Sequence, residues 1–324
     1  MFTLRFDMRA PDDGAPTTEL YGAAIEMCAW AETRGAIAAV LSEHHGADDG
    51  HLPSPLILAS AIAARTEMMP ILLAAVVLPF WDPVRLAEEM CVLDIISRGR
   101  VAYAFGVGHR AEEYEHFGVD VRQRGRLADE KLAVLLQLLK SEPVVHAGRR
   151  IRVTPACTTT SGPFIMIAGG SAAAVKRAAK YGLGFVSQVN SPELKELYEA
   201  HCREHGHEPG VTRFPVDGAP TTVFVAYDDD RAWKELGSYL LHDAKMAAGY
   251  RHGDDTVASI SRADSVSALR AADGPCRIWS IEEAAAHVRS GQQLLLAPLC
   301  GGIPPELAWH YLENAVVAVD RARE

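Results

Sequence analysis

The sequence predicts a parallel α/β fold: a (β/α)8 TIM barrel with a β-hairpin insertion and a long lid-like insertion before the last strand. Three observations predict it. Residues 71–78, Ile-Leu-Leu-Ala-Ala-Val-Val-Leu, are continuously apolar, as expected of a strand buried on both faces of a sheet covered by helices. Runs of this kind alternate with helix-like stretches along most of the chain, the pattern of repeated βα units. The chain has 324 residues, 48% of them hydrophobic, enough to bury one large core, so 1–324 is read as a single domain.

The elements follow in order. Residues 4–8 read as a first strand, and a polar loop with Pro11, Gly14 and Pro16 leads to a helix over 18–33, closed by Gly35. Residues 36–41 form a second apolar strand ending in Ser42-Glu43-His44-His45. Pro53 suits the start of a helix over 54–65. The third strand is 71–78, followed by a helix over 84–97, and the fourth begins at 101–105 and ends in Gly106-Val107-Gly108. Residues 112–140 are helical in pattern with a break at Gly118, and 144–153, with Gly148 near its centre, read as a β-hairpin outside the main repeat. Strands are expected at 164–168, 185–188, 221–226 and 293–297, and helices at 171–181, 192–205 and 304–322. Residues 244–278 are polar, contain Gly249, Gly253 and Gly274, and lack a clear period; a stretch of that length reads as a lid.

Composition removes several classes of function. The formal net charge is −10 with no long basic run, which argues against nucleic acid or an anionic membrane surface as partner. No apolar run reaches membrane-spanning length, and the N-terminus enters a strand without the apolar segment of a signal peptide. The six cysteines are far apart with no Cys-x-x-Cys, so neither a disulfide framework nor a zinc site is expected. Together these features give the expectation of a soluble cytoplasmic protein.

In a (β/α)8 barrel the chemistry sits at the C-terminal ends of the strands. That rule selects His44, whose imidazole suits general acid–base work near neutral pH. His45 and Glu43 fall on the opposite face of the strand, because adjacent residues alternate. Ala74 and Ala75 lie on the third strand near the rim, and Gly106, Val107 and Gly108 end the fourth. Gly169-Gly170-Ser171 follows a strand and opens a helix. Two glycines permit close approach of a ligand, Ser171 is a good N-cap, and the first helical N–H groups suit an anion; a plain tight turn would look the same. Arg122, Arg124 and Arg126 precede a helix and suit a phosphate, although a solvated helix start is the ordinary reading of each. No metal site is expected, since His44-His45 lacks partners on later strand ends. Phe80, Trp81 and Trp279 are candidates for a substrate pocket, with core packing as their ordinary role.

One stretch carries a family likeness. Val77-Leu78-Pro79, Pro83-Val84-Arg85, Ala87-Glu88, Leu93-Asp94, Ser97 and Gly99-Arg100, with Ser42-Glu43-His44-His45 upstream, resemble the bacterial-luciferase-like family of flavin- or deazaflavin-dependent monooxygenases and oxidoreductases. The likeness runs over most of the chain and is strongest over 40–184. It implies reduced FMN as cofactor, O2 and a small organic substrate as co-reactants, a separate flavin reductase, and a homodimer formed through helices beside the barrel. It implies that His44 faces the reactive side of the flavin, and that Ala74-Ala75, often a non-proline cis peptide in the family, braces the ring. It further implies that Gly106, Val107 and Gly108 meet the ring edge, and that Gly169, Gly170, Ser171 and either Arg124 or Arg126 hold the phosphate. Val107 stands where light-emitting luciferases carry Arg, and Gly169-Gly170 replaces a more polar pair, which argues against bioluminescence. The reading is a flavin-dependent monooxygenase acting on paired donors with O2. The alternatives are a coenzyme F420-dependent hydride-transfer enzyme on the same fold, and a non-catalytic flavin-binding protein.

Overall fold

The computed structural model describes residues 1–251, 257 and 260–324. They fall into two compact units. The first comprises 1–53, 68–70 and 216–324, and the second 54–67 and 71–215.

In the first unit the chain opens with β1 (Phe2–Phe6), α1 (Thr17–Ala31) and β2 (Ala36–Leu41). The second unit holds α2 (Pro55–Arg65), β3 (Ile71–Val77), α3 (Pro83–Ser97), β4 (Val101–Gly106), α4 (Ala111–His116) and α5 (Arg124–Leu138). It continues with β5 (Val144–His146), β6 (Arg149–Ile151), β7 (Ile165–Gly169), α6 (Ala172–Lys180), β8 (Gly184–Ser187), α7 (Pro192–Glu204) and β9 (Thr212–Arg213). The first unit then resumes with β10 (Thr222–Ala226), α8 (Asp229–Gly249), α9 (Val266–Ala271), β11 (Cys276–Ser280), α10 (Ile281–Arg289), β12 (Leu294–Leu296) and α11 (Pro305–Arg321).

Within each unit every strand pairing among the described residues is parallel except that of β5 with β6, so the expected α/β class and hairpin insertion are both met. In the first unit β1 lies between β12 and β2, and β10 pairs with β11 over five residues in register. The Arg5 guanidinium donates to Thr222 Oγ1 at 2.8 Å and so ties β1 to β10. Asn314 of α11 donates to the Val225 carbonyl at 3.0 Å. In the second unit the order is β3-β4-β7-β8-β9.

Local chemistry explains the helix boundaries. Asp82 caps α3 by accepting from the N–H groups of Val84 and Arg85 at 2.9 and 3.0 Å, with Pro83 in the first turn. Ser171, Ser191 and Asp228 cap α6, α7 and α8. Ser280 and Glu283 form a reciprocal capping box on α10.

Three boundaries differ from the sequence reading. Arg124 and Arg126 lie inside the first turn of α5 rather than before it, and α4 is a separate short helix. β9 and β11 are additional strands: β9 has only two residues, and β11 alternates with charged and polar side chains, so neither has a clear apolar run. The stretch read as a lid, 244–278, is regular at both ends. α8 runs through Gly249, α9 covers Val266–Ala271 and β11 starts at Cys276. The middle of that stretch, residues 252–256, 258 and 259, lies outside the described residues.

Candidate active site

The first unit gathers a polar cluster at the ends of β1 and β2. Leaving β2, the chain alternates as a strand does, so Glu43 and His45 share a side, and Glu43 Oε1 lies 2.8 Å from His45 Nε2. His44 points elsewhere, as the sequence predicts. Its backbone N–H donates to the Leu52 carbonyl at 3.1 Å. Its imidazole is partly exposed and meets His51 edge-on, with ring centroids 4.7 Å apart, and Tyr250 at 5.0 Å. His51 Nε2 sits 2.9 Å from Ser42 Oγ. Burial, followed by the nearby charge of Arg9, holds the His51 imidazole well below its ordinary pKa, so it stays neutral.

Arg9, only 2% exposed, is the hub of this cluster. It donates from Nη1 to Asp49 Oδ2 at 2.5 Å, and its Nε lies 3.8 Å from Asp7 and 3.6 Å from Asp243. The guanidinium carbon stands 4.9 Å from the Tyr250 ring centroid. His242 Nε2 reaches the same Asp49 oxygen at 2.9 Å. Burial opposes ionisation of Asp49, but Arg9 and His242 outweigh it and hold its carboxyl below the usual range.

Asp243 behaves in the opposite way. Burial first, then the neighbouring Asp7 carboxylate, push its pKa up to about 7 against the pull of Arg5 and Arg9. An unfolded aspartate titrates near ~3.9. Below ~4 the group is protonated in both states and its contribution to stability is fully present. Between ~4 and ~7 the unfolded chain ionises first, so stability falls as pH rises, and the loss is complete once the folded carboxyl has ionised. Asp243→Asn cannot titrate and is expected to flatten this part of the profile, by at most ~1.4 kcal/mol per pH unit. Urea unfolding of both proteins at pH 5 and pH 8 checks this, and equally steep profiles would refute the raised pKa.

The second unit holds the residues expected to bind a cofactor. The Ala74–Ala75 peptide is cis. A β-carbon added to Gly106 would lie 3.2 Å from that of Ala75, so the end of β4 passes close beside this pair. Gly108 has φ +67°, and a β-carbon there would also strike Val77 at 2.9 Å. The Tyr114 hydroxyl donates to the Val107 carbonyl and fixes the turn between them. Gly169 and Gly170 leave β7 for α6. A β-carbon on Gly169 would meet Ala174 at 2.7 Å, and one on Gly170 would meet Val189 at 3.1 Å. Tight packing of α6 and of the chain after β8 thus accounts for both glycines, a reason the sequence does not reveal. Ser171 Oγ accepts from the Ala174 N–H at 3.4 Å.

The three arginines separate. Arg122 pairs with Asp120 at 3.0 Å, and Arg126 with Glu130 at 2.6 Å. Arg124 donates only to the Val121 carbonyl, at 3.3 Å, and among the described residues has no carboxylate partner. Its charge acts on Tyr114, the residue that anchors Val107. Arg177, in the last turn of α6, ties that helix to the start of α5. It binds Asp129 at 2.6 Å and the Gly125 carbonyl at 3.2 Å, so the first turn of α5 lies against α6.

The aromatic candidates disperse. Phe80 stacks on Phe117 at 4.6 Å, and Trp279 lies 4.8 Å from His287. Trp81 borders a groove of about 740 Å³ between α2 and α3, lined also by Ile57, Val92 and Ile96. No group of three or more metal-binding side chains occurs among the described residues.

The family model for luciferase-like monooxygenases matches residues 4–287. The chain belongs to the luciferase-like monooxygenase family. A relative within reach of direct sequence comparison is the oxygenase component of a flavin-dependent trigonelline monooxygenase from Acinetobacter baylyi, 31% identical over 143 residues, or 44% of this chain and 40% of that protein. The chain spans about half the length of the curated relatives it matches. Two solved structures resemble this member of the family over their whole length. Monooxygenase RslO1 from Streptomyces bottropensis superposes with a TM-score of 0.79 at 20% identity, covering 100% of both chains. The oxygenating constituent of 3,6-diketocamphane monooxygenase from Pseudomonas putida, a type II Baeyer–Villiger monooxygenase in complex with FMN, superposes with a TM-score of 0.74 at 18% identity, covering 100% of this chain and 98% of that one. At these identities the likeness shows the fold.

Proposed function

We propose that this luciferase-like protein is the oxygenase of a two-component flavin monooxygenase, taking reduced FMN from a separate reductase and using O2 on a small organic substrate. The observation that carries the reading is the arginine arrangement in the second unit. Of three closely spaced arginines, the one without a carboxylate partner among the described residues is Arg124, in the first turn of a helix clamped against α6. The Ser171-capped N-terminus of α6, nine residues long, supplies N–H groups for the same phosphate. Ala74, Ala75 and Gly106 carry no side chain beyond a β-carbon and offer a flat surface for a planar ring, bordered by Val107 and Gly108. These residues fit FMN.

Bound and reduced, the flavin supplies the electrons that activate O2. The chain supplies the rest. Arg124 and the α6 N-terminus neutralise the phosphate, Ala74, Ala75, Gly106, Val107 and Gly108 orient the ring, and His44 holds or gives up the proton of the oxygenation. We also propose that the apolar groove at Ile57, Val92 and Ile96 is where a second copy docks, with sedimentation velocity as the check.

Titration of the protein with FMN, reduced FMN and coenzyme F420, followed by absorbance, tests the cofactor. Tight binding of FMN is expected, and Arg124→Ala should weaken it by ~10- to 100-fold, in line with loss of one charge-assisted contact. Arg126→Ala should leave it within about threefold, because an exposed ion pair contributes little. Tight binding of F420 without FMN would replace this reading by hydride transfer. FMN binding with no substrate ever stimulating O2 uptake would replace it by flavin storage.

A further inference from the structure

α3 carries Cys91 on its buried face, one helical turn before Asp94. The segment between β6 and β7 lies against this face and brings Cys157 to it, with the two sulfur atoms 3.3 Å apart. A neighbouring set of bonds holds the approach. Asp94 accepts from the N–H and the hydroxyl of Thr158, both at 2.7 Å, and from the N–H and the hydroxyl of Thr159 at 3.0 and 2.7 Å. Four bonds to one carboxylate, itself 1% exposed, fix the residues next to Cys157 on the helix. Cys157 is partly exposed, whereas Cys28, Cys91, Cys202, Cys276 and Cys300 are buried. Solvent therefore reaches this sulfur pair from the Cys157 side.

We propose that Cys91 and Cys157 form an oxidation site, which hydrogen peroxide converts to a disulfide fastening the segment before β7 to α3. One sulfur, as thiolate, attacks the O–O bond; a sulfenic acid forms and the released hydroxide takes up a proton to become water. The partner sulfur then displaces the sulfenic oxygen as a second water, and the S–S bond closes. The two thiols lose two electrons and two protons, and the peroxide takes up both. The hydrogen bond from Cys157 lowers the pKa of the Cys91 thiol, which favours the thiolate that the first or the second step needs. The inference is independent of the cofactor, because it uses no residue assigned to the flavin.

The test uses the full chain, reduced with dithiothreitol, desalted and exposed to hydrogen peroxide. Thiol titration in denaturant is expected to fall from six by the two of the pair. The intact mass should drop by two hydrogen atoms, and tryptic mapping should yield one peptide pair joining Cys91 to Cys157, released again by dithiothreitol. Cys157→Ser under the same treatment should show no thiol loss and no linked peptide; were it to misfold, the mapping of the unaltered chain decides alone. An unchanged thiol count would overturn the proposal. So would a mass gain of oxygen without the linked peptide, or a bridge between two chains or to another cysteine.

Discussion

Replacing His44 by alanine is expected to lower turnover by ~10²–10⁴-fold while leaving FMN affinity within about threefold. The split follows from the proposed roles: a group that moves a proton acts on turnover, whereas phosphate and ring contacts set affinity. His44 stands three residues past the end of β2. His44 is partly exposed, and its imidazole meets the rings of His51 and Tyr250. His51 is held neutral by burial and by Arg9, so it does not offer a second protonated imidazole beside His44. The measurement is product formation with reduced FMN, O2 and a substrate chosen from a panel of aldehydes, alkanes, sulfonates and polyketides, run beside an FMN titration. Turnover equal to that of the unaltered protein would remove His44 from the chemistry. A parallel loss of FMN affinity would make it a binding residue instead.

Arg9→Ala is expected to destabilise the protein by ~3–5 kcal/mol, the usual effect of taking one partner from a buried ion pair. Arg9 is buried, and so are Asp7, Asp49 and Asp243 around it. Without the guanidinium, Asp49 keeps, among the described residues, His242 as the side chain close enough to bond, at 2.9 Å. The loss also removes the cation beneath the Tyr250 ring, which lies beside the His44 imidazole. Urea unfolding should show a lower midpoint with an unchanged slope. A shift below ~1 kcal/mol would mean that the cluster is solvated and the charges need no mutual support. Arg9→Lys should recover only part of the loss, because an ammonium cannot reproduce the fork that spans several carboxylates.

The strand ends were legible because apolar runs and turn residues are local signals. Residues 71–78 and 101–105 give their strands directly, and the structure starts β3 at Ile71 and β4 at Val101. The alternation along Glu43, His44 and His45 also predicts which two share a face, and the 2.8 Å contact of Glu43 with His45 agrees. β11 was not legible. Its five residues, Cys-Arg-Ile-Trp-Ser, alternate instead of running apolar, and they sit in a polar stretch. The glycine pair 169–170 was found by a signal that does not state its own cause. Sequence offers ligand approach as the reason, and the structure adds a 2.7 Å approach to Ala174 that excludes a β-carbon at Gly169, with Val189 close beside Gly170.

By itself the sequence determined the α/β class, the family likeness, and the strand ends where His44, Ala74-Ala75, Gly106-Val107-Gly108 and Gly169-Gly170-Ser171 stand. Period and turn chemistry act within a few residues, so they can be read along the chain. Only the tertiary structure decided which charges and sulfurs meet. Asp49 and His242 are 193 residues apart, and Cys91 and Cys157 are 66 apart. Such pairings depend on which surfaces packing brings within a few ångströms, and a linear pattern of hydropathy carries no record of that.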